Sequence, residues 1–312
     1  PTPAPTPGAW RRQNSGTERW LWPVRFVDRH LGWAGGAGGI VLGSEDGGTT
    51  WHTLADGRPE TTADLCFVDA SWGWRAGWGC VERTTDGGRT WVRQNLGTSQ
   101  NVLALHFVDR QHGWLVGGDG GWIWRTVDGG THWSGVQMPD PWVYLQDVWF
   151  TDPAQGWTVG WAGTILHTSD GGESWQRQTS GSGSVLEAVH FVGREGWAVG
   201  SGGTILHTAD GGQNWHGQPS RTEANLMGVA FADRLHGWAV GMGGVIQATA
   251  DGGMTWRPEA SGVDTVLEEV WADSSGYVWA AGQAGVILRR EPGMATTTPM
   301  QKGYLPLLLR GA

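Results

Sequence analysis

Carboxylates are the side chains of this sequence that could take part in the widest range of chemistry. Six aspartates among them recur at a regular spacing. Each is followed by two glycines and, three residues after the second glycine, by a tryptophan, as in TSDGGESW at 168–175. An aspartate of this kind accepts hydrogen bonds from nearby backbone N–H groups, and the glycines supply positive φ. The pattern therefore predicts structural turns rather than catalytic acids at Asp46, Asp86, Asp128, Asp170, Asp210 and Asp251.

A second group of acids does not belong to these turns. Its members lie near the starts of the segments that we predict below to be innermost strands, and they are Asp64, Asp147, Glu187, Glu268 and Glu269. Placed around the mouth of a central channel, they would attract a cation or a basic segment. The alternative is that they are solvated charges without a partner. No metal site is predicted, because neither a calcium-binding loop nor cysteine and histidine pairs at zinc spacing occur.

Aromatic side chains outside the repeat form the other candidate binding group. Most of the 24 tryptophans recur with the repeat and are predicted to fill the core. Several others fall in loops on the face opposite the aspartate turns, and we predict a platform for a peptide, a sugar or a partner protein from Trp20, Trp78, Trp142, Tyr144 and Trp161. The alternative is that each covers its own loop. Trp149 and Trp271 are expected beside the channel, where they would plug it.

Known catalytic motifs are missing from the sequence. It has no HExxH motif and no Ser/His/Asp order, and its Gly-Gly pairs lack the lysine of a phosphate-binding loop. A glycosidase needs two carboxylates across a cleft, and the repeat accounts for most of the acids. We therefore predict no catalytic residues, no enzyme activity and no cofactor. The alternative function is a carbohydrate-active enzyme with an unrecognised acidic site.

The elements that carry these side chains form a repeat of about 41 residues, a period typical of four-stranded propeller blades. A phrase such as GWAVGSGGTILH, at 196–207, precedes each aspartate turn, and a seventh copy begins at Val278 without a turn after it. In the third unit the strands are predicted at 102–109, 113–117, 122–127 and 132–136. The sequence thus predicts an all-β fold, a seven-bladed β-propeller of four-stranded blades.

The N-terminus is predicted to complete the seventh blade. AWRRQNSG at 9–16 matches SWQRQTSG at 174–181, so Trp10 stands where Trp175 stands in the fourth unit. Such a strand closes the ring and covers an open sheet edge. The predicted organisation is a Pro/Thr-rich linker at 1–8, the propeller at 9–291, and a spacer with a short apolar tail at 292–312.

These repeats resemble the Asp-box, or bacterial neuraminidase repeat, and are most similar to the photosystem II assembly and stability factor family. The resemblance rests on the phrase GWAVG-x-GGTILHT-x-DGG-x-W and covers about 9–291. It implies a propeller with an assembly role and an arginine-rich surface that binds a membrane-protein precursor. This chain departs from that pattern, because it has no basic stripe. It also lacks the arginine triad, the tyrosine–glutamate pair and the FRIP-like phrase of sialidases.

Charge and hydropathy limit the partners. The formal net charge of −9 disfavours nucleic acid, which needs a basic surface. No apolar run is long enough to span a membrane. The opening PTPAPTPG suggests that a signal segment has been removed, so we predict an extracytoplasmic location, secreted or at the cell surface. The predicted function is a non-enzymatic, exported binding or scaffold propeller for a protein or glycan partner, with self-assembly through the C-terminal tail as a further option. Cys66 and Cys80 are either buried thiols or one disulfide.

Overall fold

Short antiparallel strands make up nearly all the regular structure of the chain. The computed structural model describes residues 8–56, 61–97, 100–117, 120–138, 140 and 143–292, and within these ranges it contains 28 strands in seven four-stranded sheets. Each sheet is one blade, and its first strand lies innermost. The prediction of an all-β, seven-bladed propeller is confirmed. Residues 1–7 and 293–312, which hold most of the predicted linker and tail, lie outside the described residues, and so does the predicted self-assembly segment.

The blades follow one another in chain order. Blade 1 contains β2 (Leu21–Phe26), β3 (Gly32–Gly36), β4 (Val41–Ser44) and β5 (His52–Ala55). Blade 2 contains β6 (Asp64–Phe67), β7 (Gly73–Gly77), β8 (Cys80–Thr84) and β9 (Val92–Gln94). Blade 3 contains β10 (Ala104–Phe107), β11 (Gly113–Gly117), β12 (Trp122–Thr126) and β13 (Ser134–Gln137). Blade 4 contains β14 (Leu145–Phe150), β15 (Gly156–Gly160), β16 (Thr164–Thr168) and β17 (Gln176–Gln178).

The last three blades have the same arrangement. Blade 5 contains β18 (Leu186–Val192), β19 (Glu195–Gly200), β20 (Thr204–Thr208) and β21 (His216–Gly217). Blade 6 contains β22 (Leu226–Phe231), β23 (Gly237–Gly241), β24 (Ile246–Thr249) and β25 (Arg257–Glu259). Blade 7 contains β26 (Leu267–Ala272), β27 (Val278–Gly282), β28 (Ile287–Arg290) and the N-terminal strand β1 (Trp10–Gln13).

Stacked aromatic pairs fill the junctions between blades. The second-strand tryptophan of one blade stacks on the phenylalanine that ends the first strand of the next, with ring centroids 3.5–3.8 Å apart at six junctions. At the same six junctions the indole N–H donates a hydrogen bond of 2.8–3.2 Å to a glycine carbonyl of the next blade. Each junction therefore combines a large apolar contact with one directed polar contact.

The aspartate turns, here called DGG turns, join the third and fourth strands of blades 1 to 6. In blade 4, Asp170 accepts hydrogen bonds from the Thr168 hydroxyl at 2.7 Å and from the Ser174 N–H at 3.0 Å. The Thr168 hydroxyl in turn accepts from the Gly172 N–H at 2.9 Å. Gly171 and Gly172 have φ of 74° and 88°, the left-handed region that favours glycine. All six DGG aspartates therefore have a structural role in their own turns.

Ring closure follows the predicted scheme. Strand β1 pairs antiparallel with β28, from Trp10 opposite Arg290 to Gln13 opposite Ile287. Blade 7 then packs on blade 1, where Phe26 stacks on Trp279 with centroids 3.8 Å apart. The N-terminal strand thus completes the last blade, as the match between 9–16 and 174–181 predicts.

The molecule has two distinct faces. The turn face carries the DGG turns and the loops after the first strands, which contact one another, as where the Gly171 N–H donates to the Ala154 carbonyl. The opposite face carries the turns between second and third strands and the loops between blades. There the Trp161 N–H donates to the Tyr144 carbonyl at 2.9 Å. The central channel runs between the two faces and is lined by the first strands.

Candidate functional site

Large side chains close the middle of the channel. Trp149 of blade 4 and Trp271 of blade 7 belong to blades that are not neighbours, yet their ring centroids are 6.5 Å apart. Trp149 also lies 4.5 Å from His106 and 4.2 Å from His190, again between ring centroids. The two indoles and two imidazoles form a plug, here called the channel plug. It lies where the sequence places Trp149 and Trp271.

Both histidines of the channel plug are uncharged at neutral pH. Burial, together with the nearby Arg25 charge, lowers the pKa of His106 to about 3. Burial likewise lowers the pKa of His190 to about 3. A protonated imidazole would lose its hydration here, so burial disfavours the charged form. The channel plug therefore carries no charge, although its rings contain polar nitrogen atoms.

A cavity of about 270 Å³ lies above the plug, at the mouth of the channel on the opposite face. Its lining includes Trp22, Trp149 and Trp271. All five acids that the sequence analysis singled out also line it, namely Asp64, Asp147, Glu187, Glu268 and Glu269. The predicted acidic group is therefore a single cluster around one cavity, with indole rings as its floor and wall.

Arg25 partly neutralises this cluster. Its guanidinium lies 3.7 Å from Asp64 and forms a direct ion pair with Glu269. Asp64 also accepts from the Leu105 N–H of the next blade at 2.8 Å. Burial raises the pKa of Asp64, and it raises the pKa of Glu269 to about 8, although Arg25 opposes both shifts. These two acids therefore have a structural partner, and Arg25 is a site residue that the sequence analysis did not find.

Asp147 links two blades. Its carboxylate accepts from its neighbour, the Val148 N–H, at 2.7 Å and from the Val189 N–H of blade 5 at 2.8 Å. Burial raises the pKa of Asp147 to about 7, while the Val189 hydrogen bond lowers it. The carboxyl group therefore titrates much closer to neutral pH than an ordinary aspartate does, and a cation placed beside it would favour loss of its proton.

Glu187 and Glu268 stand at the rim of the cavity. Glu187 accepts from the Gln146 amide at 2.9 Å, and Glu268 accepts from the Trp20 indole N–H at 2.8 Å. Burial raises the pKa of both glutamates. Trp20 stacks on Trp22 with centroids 5.3 Å apart. The acidic group and the aromatic group, identified separately in the sequence, therefore meet at the rim.

The other described residues of the predicted platform, Trp78, Tyr144 and Trp161, lie on the same face, in other loops. Trp20 is 37% exposed, Trp161 is 49% exposed and Trp78 is 66% exposed. Trp161 contacts Tyr144, with ring centroids 4.7 Å apart. Trp142 lies outside the described residues. Among the four described platform residues, only Trp20 contacts the acidic cluster. These four therefore divide into a rim residue, the Tyr144–Trp161 pair and the separate Trp78.

Neither a disulfide between the two cysteines nor a metal-binding cluster occurs among the described residues. Cys66 and Cys80 are both buried thiols, and no disulfide joins them. Over the described ranges, no three or more His, Cys, Asp or Glu side chains are arranged to hold a metal ion. In the same part of the chain, no helix has the length and apolar character needed to cross a membrane.

Comparisons with known proteins agree with this fold. Residues 133–220 match the family described as photosynthesis system II assembly factor YCF48. A solved structure of YCF48 bound to D1 peptide superposes with a TM-score of 0.77 at 20% identity, covering 93% of this chain and 99% of that one. YCF48 from Cyanidioschyzon merolae gives 0.76 at 23% identity, covering 91% of this chain and 99% of that one.

More distant propellers also match. The GH74 xyloglucanase from Xanthomonas campestris superposes with a TM-score of 0.66 at 16% identity, covering 91% of this chain and 54% of that one. No curated protein matches the sequence. In its sequence over 133–220, and in its fold over almost the whole described chain, this propeller is similar to the YCF48 photosystem II assembly factors, as its repeats indicate.

Proposed function

We propose that this propeller is a non-enzymatic binding protein that takes a segment of a partner protein at the channel mouth, with a lysine or arginine side chain in the acidic cavity. One observation carries the proposal. The exposed Trp20 is hydrogen-bonded to Glu268 at the rim of a cavity whose lining combines five carboxyl groups with three indole rings. Carboxylates and indole faces both attract cations.

The size of the cavity favours a single side chain over a free small molecule. Its volume of about 270 Å³ is at the lower limit of small-molecule pockets, which measure roughly 300–1,000 Å³. A segment lying across the opposite face could insert one basic side chain and rest its backbone on the exposed aromatics. The net charge of −9 would also speed the approach of a basic partner.

The comparisons support a protein partner. One of the similar propellers is YCF48 bound to D1 peptide, so a peptide is a ligand that this fold accepts in that protein. An assembly or cell-surface structural role and an extracytoplasmic location are finer proposals, and they rest on the sequence alone.

An enzyme is the second candidate, because a xyloglucanase shares the fold. A glycosidase needs two carboxyl groups flanking an open cleft. In this cavity Arg25 engages both Asp64 and Glu269, and the channel plug closes the floor. Asp147 is held by backbone N–H groups of two blades. These contacts favour a binding role over glycoside hydrolysis.

A peptide-binding measurement tests the proposal. Peptides that carry lysine or arginine should bind the full chain more tightly than matched peptides with glutamine at that position, by isothermal titration calorimetry. We expect Glu268→Gln to weaken binding by about 5- to 10-fold, because it removes one charge and keeps a hydrogen-bond acceptor, a loss of about 1–1.4 kcal/mol. Glu45→Gln, on an exposed turn-face residue, is the matched control and should change nothing.

The pH dependence of binding is a second readout. Asp147 attracts a cation only when it is ionised, and burial raises its pKa to about 7. Affinity for the basic peptide should therefore rise as the pH increases from about 6 to about 8, with protons released on binding. Equal binding of the lysine and glutamine peptides, or hydrolysis of a glycan by the wild-type chain, would contradict the proposal.

A further inference from the structure

The junction between blades 6 and 7 lacks a contact that the other six junctions share. At each of those six, a second-strand indole N–H donates to the first glycine of the DGG turn in the next blade. At the seventh, the Nε1 of Trp238 has no hydrogen-bond partner among the described residues, although Trp238 is only 4% exposed. A buried N–H left without a partner is energetically unfavourable, because it has lost its hydrogen bonds to water and gained none in the protein.

The missing contact follows from the way the ring closes. In blades 1 to 6 the third strand ends at a serine or threonine that begins the DGG turn. Blade 7 has Arg290 at this position, and its fourth strand is β1 from the other end of the chain. No DGG turn therefore exists between β28 and β1, and Trp238 has no glycine carbonyl to reach.

The neighbours of Trp238 differ in a matching way. In blades 4 and 5, Gln178 and Gln218 each donate to the first DGG glycine of the next blade, at 3.2 and 3.1 Å. Blade 6 has Glu259 at this position, which accepts from Trp10 at 2.7 Å and pairs with Arg290. The Arg290 guanidinium lies 5.2 Å from the Trp238 ring centroid. A guanidinium has only donors, so Arg290 cannot accept the indole N–H.

The place of the missing turn is a cavity of about 630 Å³ on the turn face. Trp238 lines it, together with Asp233, His236, Arg257, Ser275 and Arg290. The loop after the first strand of blade 7 therefore borders this cavity. In blades 1 to 6 the corresponding loop supplies a carbonyl to the first DGG glycine N–H, as Ala154 does for Gly171. We call this cavity the seam cavity.

We propose that the seam cavity is a binding site for a glycine-containing peptide turn of a partner protein. The partner's turn takes the place of the absent DGG turn: one backbone carbonyl accepts the Trp238 indole N–H, and the same glycine donates its N–H to the loop of residues 273–276. Glycine is required because the backbones approach closely. In blade 4, a Cβ added to Gly171 would lie 2.8 Å from the Pro153 carbonyl oxygen. This site is separate from the channel mouth and lies on the other face.

A peptide with the sequence TSDGGESW, copied from the chain's own blade 4 turn, is the probe. In the nitrogen-labelled chain, we expect the Trp238 indole N–H resonance to shift downfield when the peptide is added, toward those of the six hydrogen-bonded second-strand indoles. Trp238→Phe, which removes the N–H and keeps an aromatic ring, should weaken binding at least fivefold. Trp197→Phe is the matched control, because that indole already donates to Gly252, and it should leave the affinity unchanged.

Several results would overturn the proposal. They are an unchanged Trp238 resonance at millimolar peptide, equal affinity of the wild type and Trp238→Phe, and equal binding of a peptide with alanine in place of both glycines. A Trp238 resonance that is already downfield without peptide would mean that the cavity is filled from within the chain, or by a second copy if the shift depends on protein concentration. Thermal unfolding of each variant shows whether the fold is intact. Loss of basic-peptide binding at the channel mouth would leave this site unaffected, so the two proposals fail separately.

Discussion

At the scale of single residues, burial in the channel is the main cause of the pKa shifts at the site. His106 and His190 lie against Trp149, and burial lowers the pKa of both to about 3. Asp147 and Glu269 lie just above, and burial raises the pKa of Asp147 to about 7 and of Glu269 to about 8. In both cases burial shifts the pKa toward the neutral form, because water is excluded from the charged one.

The channel histidines should make the protein sensitive to acid. A histidine whose pKa falls on folding stabilises the native state above its usual pKa of 6.5, and this contribution is lost as the pH falls below that value. For His106 the loss is up to about 1.4 kcal/mol per pH unit. His106→Phe should therefore lose less stability than the wild type between about pH 7 and pH 5 in urea unfolding. The exposed His52→Phe is the control, and a slope for His106→Phe equal to that of the wild type would refute the argument.

The candidate site could be predicted in part from the sequence. The repeat shows where each first strand begins, so it predicts that the five acids lie near the starts of first strands. Arg25 was not predicted, since it belongs to a segment that looks like any other first strand. The sequence does contain a clue to Arg25, because it directly precedes the phenylalanine that ends its first strand. Residues at the same position in other blades, His106, Trp149 and His190, face the channel. The hydrogen bonds of Asp64 and Asp147 to the next blade depend on tertiary packing, which spacing does not encode.

At the scale of elements, one buried hydroxyl links the aspartate of the DGG turn to its second glycine. Thr168 is buried, donates to Asp170 at 2.7 Å and accepts from Gly172 at 2.9 Å. Thr168→Val keeps the shape of the side chain and leaves the Gly172 N–H without its partner. We expect it to lower the free energy of unfolding by about 1–3 kcal/mol, measured by chemical denaturation. The exposed Thr53→Val is the comparison, and equal effects of the two substitutions would show that the turn hydroxyl contributes nothing.

Strand bounds show what the repeat could and could not predict at this scale. In blade 3 the second strand is observed at Gly113–Gly117, as predicted, and the third ends one residue early, at Thr126. The first strand is shorter than predicted, Ala104–Phe107, and the fourth begins two residues late, at Ser134. The central strands are bounded by the glycines of the repeat. The first and fourth strands each have a free edge, so their length depends on pairing with one neighbour only.

At the scale of the whole molecule, the ring is closed by noncovalent pairing of the two ends of the propeller. Six blades are each made of one continuous stretch, whereas blade 7 combines β26 to β28 with β1. Trp10 anchors this closure through its burial and its 2.7 Å hydrogen bond to Glu259. The closure also creates the seam cavity, since a blade built from both ends has no turn between its third and fourth strands. The same feature thus stabilises the ring and leaves one junction incomplete.

This arrangement predicts different consequences for two equivalent tryptophans. Trp10 and Trp215 are similarly buried, and each donates its indole N–H to the same position of the preceding blade, Glu259 or Gln178. Replacing either by alanine should cost about 3–5 kcal/mol, typical of a large buried aromatic. In Trp215→Ala, whose blade is continuous, faster amide hydrogen exchange should be confined to blade 5 and its neighbours. In Trp10→Ala the strand that joins the ends is released, so exchange should accelerate in β26 to β28 and also across the junction in β2 and β3. Equally local changes in both variants would mean that β1 contributes no more to the ring than any other outer strand does.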